Sequence, residues 1–410
     1  MKTGYSPTSR SPEFWWYVGS QAVSMIGNAM TNTALYWLAI HLVHGHAVGL
    51  SFVAAAQFLP MILLSRRAGL LAGQHRPSRV LALTTIAECA GALAIGVPLV
   101  AGWMTIWYLC VLGFAIGSAQ TVGLPAGQIF MLELVGAKEL RRGASVSSMV
   151  MGLAKIAGPG LAGFLIATVG TGQVFLADAG SFAAVIVVLL WLSKKITRTT
   201  SHTHARAETA RRFRWILDLP GSIRLTVVMA LLIGGFGYQF EITNPLIATH
   251  VFHLSAEAFG LLGTLMAVGG IAGSYYSSRR SNPRSSEFVT WSLIFGIAEC
   301  IAAVMPAPWA YEAVMVVIGG TITLFSITAT VYIRQTAQPA HLGQALSAYN
   351  AAFIGFVPAG AFAVSAIAIL AGTRWALTIP GLAVTIFAVA VLALTHTRRK
   401  QGESPSRDTA

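Results

Sequence analysis

Twelve apolar runs, most of them close to 20 residues long, recur along this 410-residue chain with short polar segments between them. A helix of about 20 residues rises roughly 30 Å, the thickness of a bilayer's hydrocarbon core, and hydrocarbon admits only structures whose backbone hydrogen bonds close on themselves. Each run therefore predicts one membrane-crossing helix: residues 14–41, 48–64, 80–100, 106–124, 143–168 and 172–192, then 225–247, 258–276, 288–305, 313–332, 346–370 and 375–395. Charge is scarce to match: charged residues are 10% of the chain and mean hydropathy is +0.68, where soluble domains carry roughly 25% charged residues. The fold class expected is all-α and integral to the membrane, with twelve transmembrane helices in two pseudo-symmetric six-helix bundles.

The interval 193–222 divides the bundles. It holds Lys194, Lys195, Arg198, Arg206, Arg211, Arg212 and Arg214, and each such charge at mid-bilayer costs about 2.5–3.5 kcal/mol. It must lie in water or at the membrane surface, joining a bundle at 1–192 to one at 223–396, with a polar tail at 397–410. With the amino terminus in the cytoplasm, all 27 basic residues except Arg374 and Lys155 fall in cytoplasmic segments. That asymmetry puts both termini and the connector inside and predicts a multi-pass protein of the plasma (inner) membrane.

Trp15, Trp16 and Tyr17 suit a membrane interface. The first run is longer than a signal-peptide core and lacks a small-residue cleavage site, so it reads as the first crossing. The net charge of +13 does not point to nucleic acid, since a nucleic-acid face clusters basic residues among readout side chains. Cys89, Cys110 and Cys300 all lie inside apolar runs and suggest no disulfide framework.

The halves are distantly alike. Ile86-Ala87-Glu88-Cys89 in the third span recurs as Ile297-Ala298-Glu299-Cys300 in the ninth, 211 positions on, and Gly49-Leu50 recurs as Gly260-Leu261 at the same displacement. Matches in corresponding spans at one displacement favour parallel six-helix repeats.

The fifth span contains GLAKIAGPGLAG, with Gly152, Lys155, Gly158, Pro159, Gly160 and Gly163. Small residues let another helix approach closely, and Pro159 removes a backbone hydrogen bond and bends the span. This run resembles the glycine-proline antiporter motif in helix five of major facilitator superfamily exporters. Four further stretches resemble the drug-antiporter branch that includes macrolide and enterobactin exporters. They are Gln21 to Asn28, Leu124-Pro125-Ala126 ahead of Glu133, Phe175 to Phe182 around Asp178, and Gly355 to Gly360 around Pro358. Their order and spacing extend the likeness over nearly the whole chain.

Two departures stand out. Between helices two and three the family carries Gly-x-Leu-Ala-Asp-Arg and a basic cluster, and here Gly69 and Ala72 lead into Gly73, Gln74, Arg76 and Arg79. The aspartate that helps to latch the family's halves together is thus replaced by Gly73. The first-helix position that is often acidic in relatives is Asn28, which carries no titrating proton.

Ionisable residues inside the spans are few: Glu88, Lys155, Asp178, Glu241 and Glu299. Such groups are costly and mark function by default, although a buried, hydrogen-bonded carboxyl can simply order helices. The resemblance implies that helix seven lines the transport cavity, which makes Glu241 the expected proton carrier with Asp178 next, and leaves Glu88 and Glu299 matched structural roles on peripheral helices. Lys155, about 12 residues into its helix and so roughly 18 Å deep, is expected to be paired or substrate-facing, with Asp178 one partner.

Expected cavity residues are Asn28, Asn32, Tyr36, Gln57, Gln120, Lys155, Tyr238, Gln239, Asn244, Tyr349 and Asn350; Gly69, Arg76, Arg79, Gly158, Pro159, Gly163 and Pro358 are expected in gating and packing. His41, His44, His46, His250 and His253 sit in outer loops, where histidines are ordinarily solvated, and neither a metal nor a cofactor is expected. No phosphate-binding loop supports an ATPase, and no enzyme activity is expected.

The resemblance implies a single-chain secondary transporter whose partners are a small-molecule substrate, protons and the lipid bilayer. It would rock its halves about a central site to export a drug, secondary metabolite or siderophore in exchange for protons. Alternatives from the same sequence are an importer or lipid flippase of the same fold, or a membrane sensor that transports nothing. The topology has a direct test. Single cysteines at Thr200 and His44 in a cysteine-free background should react with impermeant reagents from opposite sides of the membrane; labelling from one side would overturn the twelve-span arrangement.

Overall fold

The computed structural model describes residues 11–43, 47–195, 220–280, 285–338 and 341–400, and these are helical with no strand among them. In order the helices are α1 Pro12–Leu42, α2 Ala47–Gln74, α3 Pro77–Val100, α4 Ile106–Val169, α5 Thr171–Lys195, α6 Gly221–Ala230, α7 Phe240–Leu246, α8 Ala256–Ser278, α9 Ser285–Val304, α10 Pro308–Thr336, α11 Leu342–Phe353, α12 Val357–Leu370 and α13 Trp375–Lys400. Eleven stretches of the described residues are long and apolar enough to cross a membrane. To these α1 adds a helix of 31 residues. It is long enough, but Gln21, Ser24, Asn28, Thr31, Asn32 and Thr33 make it too polar to qualify by composition. Most of the connector, with His44, His46 and both termini, lies outside the described residues.

Three expectations about helix ends need correction. The segment from Gly69 to Gln74, expected as a loop, is the last turn and a half of α2, and only His75 and Arg76 separate it from α3. The fourth and fifth spans are joined by helix rather than by a loop. A straight helix of 64 residues would extend about 96 Å, yet a Cβ on Gly143 would lie 3.4 Å from both Met131 Sδ and Val135 Cγ2. Residues 8 and 12 positions apart meet only if the helix doubles back, so α4 is a helical hairpin holding two crossings, 106–135 and 149–169. The third correction, to the seventh and eleventh spans, bears on the candidate site.

The described parts of Met1–Thr209 with Asn244–Thr264 form one compact unit, and those of Ala210–Thr243 with Leu265–Ala410 form a second. In the first, Phe14, Tyr17, Phe130, Leu134, Leu189 and Leu192 close one end of a buried core drawn from α1, α4 and α5. In the second, α8 and α10 meet backbone to backbone. A Cβ on Gly273 would lie 2.6 Å from Gly320 O, and one on Gly319 or Gly269 would overlap the facing carbonyls of Met266 and Val316. Helices without a hydrophobic drive to associate in lipid rely on this kind of close approach.

The repeat seen in sequence has a structural counterpart: Cys89 Sγ of α3 donates to Ala179 O of α5 at 3.4 Å, and Cys300 Sγ of α9 to Thr378 O of α13 at 3.8 Å. The third span holds the sixth as the ninth holds the twelfth.

The glycine-proline run works in two directions. A Cβ on Gly158 would overlap Ala29 of α1, while Pro159, Gly160 and Gly163 lie against the start of α8, where Gly260, Gly263 and Thr264 face them. Thr264 Oγ1 donates to Ile156 O at 2.9 Å, tying the fifth span to α8 at the proline. Gly158→Leu should therefore force α1 off the fifth span, at about 1–3 kcal/mol. Normal melting temperature and normal transport in that variant would show that the contact is not close.

Candidate functional site

α1 carries three different faces. Asn28, Asn32 and Tyr36 recur every four residues and so form one stripe. Tyr36 Oη donates to Gln57 Oε1 at 2.9 Å, Gln57 Nε2 to Asn32 Oδ1 at 3.1 Å, and Gln120 Nε2 to Asn28 Oδ1 at 3.2 Å. Five residues expected in the cavity are thus drawn from three helices into two hydrogen-bonded sets, with Tyr36 buried and the four amides half-buried.

The second face holds Gly27 and Thr31. Asp178 of α5, 1% exposed, accepts from Thr31 Oγ1 at 2.6 Å and from its own neighbour Ser181 Oγ at 2.9 Å. Any Cβ at residue 27 would overlap Asp178 Oδ1, which is why glycine stands there. Ala29 makes the third face, against Gly158. Asp178 is therefore held by hydroxyls and does not pair with Lys155, whose side chain is exposed.

In the second unit the seventh span is not the continuous helix expected. Leu231–Gly237 is π-helical. With glycine at 234, 235 and 237 this stretch lacks the side chains that favour a tight α-turn, and the wider turn closes with Tyr238 N donating to Ile233 O at 2.6 Å. Helix resumes at Phe240 and turns π-helical again over Ile247–Val251, after Pro245.

The eleventh span also breaks, between Phe353 and Val357, because Pro358 opens α12 and has no N–H to continue α11. The two breaks interlock. A Cβ on Gly234 would overlap Phe353 O, and one on Gly360 would overlap Gly235 O. Gln239 staples them: its Nε2 donates to Gly235 O at 2.8 Å and to Val357 O at 3.3 Å.

Aromatic rings gather beside the crossing. Phe353 stacks on Tyr349 at 5.8 Å and 9°, on Phe325 at 6.2 Å and on Tyr238 at 6.5 Å, and Tyr349 Oη donates to Ser326 Oγ at 3.3 Å. Glu241, two residues past Gln239 and half-buried, follows in α7. Phe325 and Tyr349 are buried in this cluster and Gln239 is buried beside it, so the half-buried Tyr238, Glu241 and Phe353 are its more accessible members.

The remaining expected residues are scattered. Asn350 is exposed, as are Arg76 and Arg79 at the α2–α3 connection. Gly69 has open space around it. Asn244 is buried in α7. Thr31, Ser181, Phe325, Ser326 and Phe353 were missed in sequence. The glycine triplet at 234–237 was the legible sign of the break, since discontinuous spans often mark transport sites. Elsewhere a groove of about 340 Å³ opens among α8, α9 and α10 beside Tyr276, Arg280, Glu287 and Trp291, and it contains none of the expected cavity residues.

The carboxylate clamp on α1 can be tested. Thr31→Val would leave Asp178 Oδ2 without its donor at about 1–3 kcal/mol. Thermal melting in detergent should show that loss, and Thr31→Ser should restore most of it; equal stability of all three proteins would mean that the hydrogen bond holds nothing.

A family model described as transmembrane secretion effector matches residues 2–409. Among curated proteins, the multidrug efflux pump Tap of Mycolicibacterium fortuitum is 26% identical over 384 residues, covering 88% of this chain and 91% of the pump. The staphyloferrin A transporter of Staphylococcus aureus is 26% identical over 264 residues, covering 62% of this chain and 64% of that protein. Among solved structures, a bacterial homologue of the iron transporter ferroportin in an inward-facing state superposes with a TM-score of 0.72 at 15% identity, over 93% of this chain and 98% of that one. A POT family transporter bound to 5-aminolevulinic acid gives 0.76 at 11% identity, over 96% and 99%. These structures share the fold.

Proposed function

Because this chain belongs to the transmembrane secretion effector family of major facilitator transporters, we propose that it is a secondary transporter that moves a small amphiphilic organic compound out of the cytoplasm by alternating access, in exchange for protons. It works as a single chain in the plasma membrane with both termini inside, as its basic residues favour. Relatives named for multidrug efflux and for staphyloferrin A support drugs or siderophores as the substrate class.

The observation that carries the reading is the interlocked pair of breaks in the seventh and eleventh spans. Backbone that leaves helical form at membrane depth is tolerated where protein or a polar cavity satisfies it, and Gln239 and the aromatic rings supply a surface of mixed character there. Glu241 lies two residues beyond, on a helix that must re-form whenever the break moves. A carboxyl carried between apolar and polar surroundings loads a proton in one and releases it in the other, so Glu241 is the main coupling group proposed. Asp178 is second. Protonating it would weaken the hydroxyl clamp between α1 and α5.

In everted vesicles or proteoliposomes with an imposed proton gradient, wild type should concentrate ethidium or staphyloferrin A, and Glu241→Gln should abolish uphill movement while leaving substrate exchange measurable. A variant that still concentrates substrate at the wild-type rate would move the coupling elsewhere, with Asp178→Asn the next to test. Gradient-driven movement in the opposite direction would make the protein an importer.

A further inference from the structure

Two buried side-chain oxygens of the second unit meet no protein donor or acceptor, Glu299 Oε2 and Thr385 Oγ1, and both belong to the seam between α9 and α13. Glu299 is 1% exposed. A Cβ on Gly381 of α13 would lie 3.1 Å from Glu299 Cβ, and one on Gly237, the last residue of the π-helical stretch, would lie 3.4 Å from Glu299 Oε2 and 2.9 Å from Phe295 Cε1. One turn earlier on α9, a Cβ on Gly296 would lie 2.5 Å from Thr385 Oγ1. The carboxyl thus reaches across the seam to the residue where the seventh span loses helical form.

Titratable and charged neighbours are few. α10 brings Tyr311, fully buried and within electrostatic reach of Glu299. On α9 itself Cys300 turns its thiol to Thr378 O. Just ahead of α13, Arg374 Nη1 donates to Ala303 O and Met305 O at 2.7 and 2.9 Å, beyond Glu299 toward the end of the helix. α6 brings Arg224, exposed and near its start as Glu287 is near the start of α9. The π-helical stretch contributes only Leu, Ile, Gly and Phe, with Tyr238 and Glu241 following it. No ion pair reaches Glu299 among the described residues.

A charged carboxylate in such a place keeps its desolvation cost with Oε2 unmatched, whereas a neutral carboxylic acid avoids most of it. The backbone beside it has already left regular α-helix, and π-helical turns of this kind are rare and collect at functional sites. We propose that Glu299 is a further proton-binding site, distinct from Glu241 and Asp178, which holds its proton while the seventh span is broken as described and yields it to water when Leu231–Gly237 rearranges and offers the carboxylate new donors. Its link to transport rests on the proton-exchange reading above; its protonation and its link to the seventh span do not.

Purified protein in lipid nanodiscs tests both parts. Infrared difference spectra between acid and alkaline pH should contain a protonated-carboxyl C=O band that Glu299→Gln removes and Glu299→Asp keeps at a shifted position. Amide exchange over 231–239, corrected for the intrinsic rate, should rise with pH in wild type and lose that dependence in Glu299→Gln. Identical carboxyl bands in wild type and Glu299→Gln, or unchanged pH-dependent exchange in that variant, would overturn the proposal. Proton-driven ethidium flux separates the two readings. If wild type shows none while the band and the exchange behave as expected, proton exchange fails and the Glu299 site stands. Normal flux with no Glu299 band sinks this site alone.

Discussion

Hydrocarbon supplies no hydrogen bonds, so every backbone N–H and C=O at membrane depth must find its partner inside the protein. That constraint makes the described chain all-helical, and it also decides where helix can be abandoned. In the second unit two spans give up regular helix at the same place, and each stands against the other's break. Glycine at 234, 235 and 360 removes the side chains that would hold the backbones apart, and the Gln239 amide takes up the carbonyls of Gly235 and Val357. One break alone would leave polar backbone in lipid.

The first unit meets a related demand with side chains. α1 is too polar to be recognised as a span by composition, yet its polar residues are sorted by face: amides toward Gln57 and Gln120, and a hydroxyl toward Asp178. A helix carrying so many polar groups is stable in a membrane only when neighbouring helices receive them. The closeness that those bonds require explains Gly27, where even a methyl group would collide with the carboxylate.

Hydropathy located eleven of the crossings, because about 20 apolar residues per span is a strong and local signal; the polar α1 needed its length and its place ahead of the second span as well. That the glycine-proline run packs closely was also legible from its small side chains, but not its partner at Gly158: expected against the other half of the chain, Gly158 lies against Ala29 of α1 in its own half. What escaped depends on contacts between distant segments. That Asp178 is held by Thr31 rather than by Lys155 cannot be read from spacing, because either partner lies within plausible reach in sequence terms. The hairpin inside α4 was hidden because its turn keeps helical hydrogen bonding and so reads as helix throughout. Glu299 looked like a structural twin of Glu88. It differs because Glu88 is half-buried, whereas Glu299 is 1% exposed with one carboxyl oxygen unmatched in a seam of glycines.

Arg374 stands just ahead of α13, and its guanidinium donates to the carbonyls of Ala303, near the end of α9, and of Met305 just past it. A helix end leaves carbonyls with no partner inside the helix, and a guanidinium carries five N–H donors in a fixed fork. This one side chain therefore closes the exit of the ninth span and fastens it to the entry of the last, so that a substitution in a short loop would loosen two helices at once.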